Sequence, residues 1–230
     1  MADTTGSAEP SIDGDPNDYF RFVIAEIEAD LTSRGTDVLT ELERLSTALS
    51  EAGADDAPTA LADVSEMTTD YSATVAPVSD ARNPVILANP TLAASRAAVA
   101  AIAAWFISKG YLLSAELIKR ARDNKTLNSN YTPSYRSGLI NSPVIRKIRS
   151  QSKASGSDSF PSSTSGTYAK DNYYAIHAFN WTKSGIRVSI SDRYDFAPGK
   201  YSGLAGTAVN AMWLAQQLGH IKPYYVKVTV

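Results

Sequence analysis

One stretch of the sequence, IRVSISDRYD (Ile186–Asp195), ends a strand-like run in two carboxylates, a tyrosine and an arginine. Ile186, Val188 and Ile190 alternate, and the same period carries Asp192 and Tyr194 onto the apolar face. A carboxylate on an inward face must be paired, hydrogen-bonded, metal-bound or protonated, because burying it bare is unfavourable. Asp195 lies three residues on, just ahead of the turn signal Pro198-Gly199. If the strand bends there, the two carboxylates converge; they can then hold a divalent cation or divide into an acid and a base. The plainer arrangement has Asp192 ending the strand and capping the turn, with Arg193 as a surface partner. His177 sits in AIHAFNW, where strand spacing puts it on the face of Phe179 and Trp181, within reach of the aspartates in some hairpin registers. His220 follows Gly219 and reads as a surface cation at a helix C-terminus.

Composition narrows the chemistry further. The 230 residues contain no cysteine, which removes thiolate zinc sites, disulfides and cysteine nucleophiles, and only two histidines, which removes a multi-histidine metal cage. There is no Walker loop, dinucleotide fingerprint, GxSxG or HExxH. The net charge of −2 conceals a split: residues 1–90 carry −14 and residues 91–230 carry +12. The basic runs IKRARDNK (Ile118–Lys125) and VIRKIRSQSK (Val144–Lys153) suit phosphates or a solvated helix face. Aromatics are not interleaved with them as in RNA-binding motifs, so a nucleic-acid partner is not expected.

The elements that must position these residues are legible in outline. Residues 1–15 read as a disordered tail and 16–90 as an acidic helical region with a linker. In that region Pro16 opens one helix, with Phe20, Ile24, Ile27 and Leu31 at helical spacing. Thr36 caps a second, striped by Leu39, Leu42, Leu45 and Leu49, and a short third follows Pro58. The segment 91–125 is an apolar core helix, broken at Gly110, and then a helix with a basic end. Its longest apolar run, Ala97–Ile107, is too short for a membrane span. Residues 126–230 form the strand-rich part. NYYAIHAFNW and IRVSISDRYDF read as a hairpin turning near Lys183–Gly185, GLAGTAVNAMWLAQQLG as a helix, and KPYYVKVTV as a closing strand. The whole is α+β: a helical region, then a mostly antiparallel sheet with a packed helix. The polar first residues contain no apolar signal segment, which predicts a chain made soluble.

DRYDF, followed by YSGLAGTAVNAMWLAQQLG and KPYYVKV, resembles the catalytic domain of the colicin M family. These bacteriocins cleave the undecaprenyl-linked peptidoglycan precursor lipid II. The likeness runs in order over roughly residues 95–230, and Asp192–Phe196 is its specific part. The family signature is Asp-x-Tyr-Asp, then His-Arg; Asp192, Tyr194 and Asp195 match the first part, and Tyr201-Ser202 stand where His-Arg is expected. The resemblance implies a colicin M-like α+β domain and hydrolysis of the phosphate linkage of the lipid-linked precursor. It further implies Asp192 and Asp195 as metal ligands for Mg2+ or as the groups that activate water, with Tyr194 positioning the phosphate. Arg193 and Lys200 are candidate substrate-binding cations, and His177 a substitute base. A released protein of this kind would act in the periplasm of a target cell, at the outer face of its inner membrane. The acidic N-terminal helices would meet a docking or delivery partner. The alternative expectation is a catalytically inactive form of this fold serving as a structural or adaptor component of a particle or secretion machine.

Overall fold

The computed structural model describes residues 8–52, 57–75, 89–123, 130–162, 165–199 and 201–230. Its first three helices, α1 (Pro16–Ser33), α2 (Val38–Glu51) and α3 (Ala57–Val75), pack around a fourth, α4 (Pro90–Ser108). Asp15 caps α1 by accepting from Asn17 N, with Pro16 as the first helical residue. At α2 the cap is Asp37, which accepts from Thr40 N, rather than Thr36, whose hydroxyl donates to Glu41. The α2 stripe is accordingly Val38, Leu42, Leu45 and Leu49, and Leu39 faces out. The third helix, expected to be short, spans 19 residues. Residues 8–15 are placed rather than free: Glu9 accepts from the Tyr19 hydroxyl at 2.7 Å and Ile12 packs on the core. Residues 1–7 and 76–88 of the expected tail and linker lie outside the described residues.

α4 is apolar on every side because it is the hub of the bundle. From Ala93 to Ile107 almost every side chain is buried, against α1, α2 and α3 and against α5 (Leu112–Asp123). By length and composition α4 alone among the described helices could cross a membrane, yet most of it is enclosed by protein. Gly110, at φ +77°, turns the chain from α4 into α5.

The remaining chain builds one mixed five-stranded sheet of order β1-β5-β4-β3-β2. Its strands are β1 (Asn130–Tyr131), β2 (Ser155–Ser159), β3 (Ala178–Ser184), β4 (Arg187–Tyr194) and β5 (Tyr224–Thr229). Only the short β1–β5 pair is parallel. Between the strands lie α6 (Ser137–Ile140), α7 (Pro143–Ser150), α8 (Thr167–Ala175) and α9 (Gly203–Gln217). Phe179, Trp181, Val188, Ile190, Tyr194, Tyr224, Val226 and Val228 point inward, and the Tyr224 hydroxyl ties the sheet to α5 by donating to Leu117 O at 2.7 Å. A single buried cluster runs from Tyr19 to Val228.

One expectation fails here. NYYAI is the end of α8, not a strand, and the strand starts only at Ala178. Asp171 anchors that helix from within: it is 5% exposed and its carboxylate accepts from Leu113 N (2.9 Å), Ser114 N (2.8 Å) and the Ser114 hydroxyl (2.6 Å). These are free donors of the first turn of α5, so a long-range helix cap overrides the local strand preference of the tyrosines. Burial is the main influence on Asp171 and pushes its carboxyl up to about 6, against the pull of those donors. The Ser-rich run at 152–165 supplies β2, where Gly156 leaves room for the Trp181 ring opposite it.

Candidate functional site

β4 delivers Asp192 as its alternation predicts. Val188, Ile190 and Tyr194 are buried on the inner face and Asp192 is part-buried among them, whereas Arg187, Ser191 and Arg193 are exposed. Ile186 is the exception to the expected alternation, because it stands in the two-residue loop Gly185–Ile186 between paired Ser184 and Arg187, 82% exposed. The chain then leaves the sheet at Asp195, and α9 holds that exit. Gln216 Oε1 accepts from Phe196 N at 3.1 Å and its amide donates back to Phe196 O at 3.4 Å. Further along, Asn210 Oδ1 accepts from Gly199 N.

Where β4 ends, a cleft of about 170 Å³ opens between the sheet, α4, α8 and α9. Asp192, Arg193, Tyr194, Asp195 and His177 all line it, with Tyr174, Tyr201 and Met212. Five of the six residues singled out in the sequence thus meet at one place, and the sixth, Lys200, lies outside the described residues. The cleft is smaller than the ~300 Å³ at which drug-sized ligand pockets begin, so it takes a small group or the reactive end of a larger molecule. A roomier hollow of about 570 Å³ between α6, α7 and α8 has no carboxylate, histidine or cation in its lining.

Within the cleft the charges are unequal. Asp192 has no ion pair and no side-chain hydrogen-bond partner among the described residues. Burial pushes its carboxyl up to about 7, the Asp195 charge adds to that, and a backbone hydrogen bond at Arg193 opposes it. The local arginine does not neutralise it. Arg193 points to the other side of the strand and reaches Asp195 instead, at 3.7 Å, both groups being exposed. The plainer arrangement, Asp192 capping the turn with Arg193 as its surface partner, is therefore not what the strand builds: Arg193 pairs with Asp195, and Gln216 and Asn210 accept from Phe196 N and Gly199 N after the strand.

His177 is displaced from its expected setting. It is exposed at the bend before β3 rather than on the strand face of Phe179 and Trp181, which are buried. Its ring sits edge-on to Tyr173 with centroids 5.0 Å apart. Tyr194 is the cleft's buried floor, in ring contact with Phe196 (5.1 Å) and Tyr224 (5.3 Å), and burial raises its hydroxyl pKa well above the ordinary tyrosine value. That keeps it a neutral donor. His220 is no surface cation. Its Nδ1 lies 2.7 Å from the Ser95 hydroxyl, and burial, with Arg96 nearby, lowers its pKa.

Tyr201, noted in the sequence only as a departure from the His-Arg pattern, makes up the wall with Tyr173 and Tyr174, which the sequence did not single out. Tyr201 contacts Tyr173 and Tyr174 at ring centroids of 5.7 and 5.8 Å, and Tyr174 leans on Phe106 at 5.6 Å. Burial pushes the Tyr201 hydroxyl up to about 12, so it too is a neutral donor at physiological pH. The doubled tyrosine 173–174 was available as a signal only to a helical reading of 167–175.

Gly206 sets the position of Tyr201. A Cβ at 206 would stand 2.6 Å from Tyr201 O and 2.9 Å from its carbonyl carbon, so alanine fits only if that backbone moves. Gly206→Ala is expected to lower stability by about 1–3 kcal/mol and to loosen the tyrosine cluster. Thermal unfolding and the near-ultraviolet circular dichroism of the tyrosines read both effects; an unchanged aromatic spectrum would contradict the assignment.

Among the described residues no set of three or more histidine and carboxylate groups is arranged to hold a metal. Asp192 and Asp195 offer two hard oxygen donors, a set that suits magnesium, which keeps several waters or substrate oxygens in its shell. No family model matches the chain, and neither a curated protein nor a solved structure is similar to it at a significant level.

Proposed function

We propose that this cleft hydrolyses a phosphate ester, and that the substrate is the lipid-linked peptidoglycan precursor implied by the resemblance to the colicin M family. The observation that carries the reading is Asp192: an unpaired, part-buried carboxyl pushed up to about 7, open to a cleft shared with Asp195 and His177. A carboxylate tuned toward neutrality is what general-base chemistry at pH 7 asks for.

In this mechanism Asp192 takes a proton from a water molecule in the cleft. The water oxygen bonds to phosphorus, the P–O bond to the lipid alcohol breaks, and the alcohol leaves with a proton from His177 at the rim or from solvent. Tyr194 and Tyr201, held neutral by burial, donate hydrogen bonds to phosphoryl oxygens. Arg193 answers the charge of Asp195 at the mouth and is exposed enough to turn to a phosphate. In a metal-assisted form of the same hydrolysis, which takes the place of the base role, Asp192 and Asp195 would hold a magnesium ion that would neutralise charge on the phosphoryl group.

Incubating the protein with lipid II and magnesium is expected to release a water-soluble pyrophosphorylated headgroup. Intact lipid II, beside a control hydrolase that cleaves it, would remove the catalytic reading. The second reading, an inactive fold used as a structural or adaptor part, would then stand. It draws on one observation: Tyr201, in place of the family's histidine, is half-buried in a tyrosine cluster that fills one side of the cleft.

A further inference from the structure

The far end of β4 carries a feature the cleft does not use. Ile186 is the most exposed large apolar side chain of the described residues, at 82%, and it forms the tip of the β3–β4 hairpin. A second exposed isoleucine, Ile140, stands beside it. One guanidinium joins the two: Arg149 Nε donates to Ile186 O at 3.1 Å and its Nη1 to Ile140 O at 3.4 Å. The tip is braced as well. Lys183 Nζ donates to Arg149 O at 3.1 Å and to Gln151 O, Lys183 N donates to Ala154 O at 2.7 Å, and Gly185 takes φ +60°. The isoleucines are thus presented on a rigid support, and no ordering of the tip is needed when something covers them.

Cations collar this tip. Arg146 lies one helical turn before Arg149 on α7, Lys153 precedes the residue that pairs with Lys183, and Arg187 closes the hairpin. All three are exposed, and none makes an ion pair among the described residues. Over residues 130–230 the acids are Asp158, Asp171, Asp192 and Asp195. Asp171 is buried, Asp158 pairs with Lys147 and lies opposite Phe179, and Asp192 and Asp195 belong to the cleft end of β4. Charge is therefore segregated along the strands, negative at the cleft and positive at the tip.

We infer that the β3–β4 tip, with α7 and Ile140 beside it, docks the protein on an anionic lipid surface. Isolated exposed isoleucines are ordinary, but two on a braced tip within a collar of unpaired cations combine what such a surface rewards. The apolar side chains enter the headgroup boundary and the cations meet anionic lipid. A nucleic acid would use the cations and leave the isoleucines in water. The site is separate from the proposed chemistry, since the seven steps from Arg187 to Tyr194 put the cleft roughly 23 Å away along the strand.

Sedimentation with vesicles tests this on the full chain. Vesicles of phosphatidylcholine with roughly 30% phosphatidylglycerol are compared with pure phosphatidylcholine, at low salt and at roughly 0.5 M. Binding is expected to the anionic vesicles only and to weaken with salt. Ile186→Ser is expected to weaken it about tenfold, and Lys153→Glu with Arg187→Glu about a hundredfold. Lys170→Glu, a charge reversal on α8, serves as control and should leave it unchanged. Circular dichroism confirms that each variant is folded. Absence of binding at low salt would overturn the inference. So would binding that survives Ile186→Ser, which marks a plain polyanion patch, or loss of binding in the Lys170→Glu control.

Discussion

Asp192→Asn is expected to stabilise the protein at neutral pH while stopping its chemistry. The carboxyl is pushed up to about 7 from an ordinary value of 3.8. Its folded pKa lies above its unfolded one, so the folded chain binds more protons between those values, and stability falls as pH rises from about 4 to about 7. Above that window the full penalty is present. A shift of this size corresponds to about 4 kcal/mol, and solvent at the cleft mouth reduces it to roughly 2–3 kcal/mol. Asparagine carries no charge to desolvate, so the variant should melt higher by roughly 4–12 °C at pH 8 and be nearly unchanged near pH 4. Thermal unfolding at the two pH values measures this. The same substitution removes the proton acceptor and is expected to lower turnover by about 100-fold or more. Equal melting temperatures at pH 8 would mean that Asp192 is satisfied by a partner or by water.

The opposite outcome is expected at the other raised carboxyl. Asp171 is also displaced upward by burial, but three donors of α5 depend on it. Asp171→Ala leaves Leu113 N, Ser114 N and the Ser114 hydroxyl without an acceptor, and opens a gap between α8 and α5. The expected loss is about 3–5 kcal/mol, enough to lower the melting temperature by roughly 10 °C. A urea midpoint within error of the parent protein would show that α5 does not rely on this cap. Two aspartates displaced in the same direction are thus expected to separate by experiment: removal of a structural one lowers stability, and removal of one kept for a task raises it.

How much of this the sequence discloses depends on how local the cause is. β4 and its inward Asp192 are legible because period-two alternation is a property of the strand itself, and Tyr224, Val226 and Val228 alternate on β5 in the same way. The central place of α4 is legible because a helix apolar on all sides has to be enclosed. α8 is not legible, since what holds it is a carboxylate accepting from the first turn of α5, 57 and 58 residues away in sequence. His177 goes with it: once 167–175 is helical, the histidine falls at a bend instead of on a strand face. Ile186 looks like the first residue of an apolar alternation and is the tip of a turn, because the turn expected near Lys183–Gly185 closes at Gly185–Ile186, with Gly185 at positive φ and Ser184 paired to Arg187. The cleft's carboxylates are readable from one strand; its tyrosine wall comes from α8 and the start of α9, and no single segment contains it.

We propose that Asp192 acts as a base on a phosphate ester of a lipid-linked precursor. The most direct test is headgroup release from lipid II with magnesium, followed between about pH 5 and 8 for the parent protein and for Asp192→Asn. We expect kcat/KM to rise through about pH 7 as Asp192 loses its proton, and release to fall about 100-fold or more in the variant at every pH. A flat profile, or a variant as active as the parent, would contradict it.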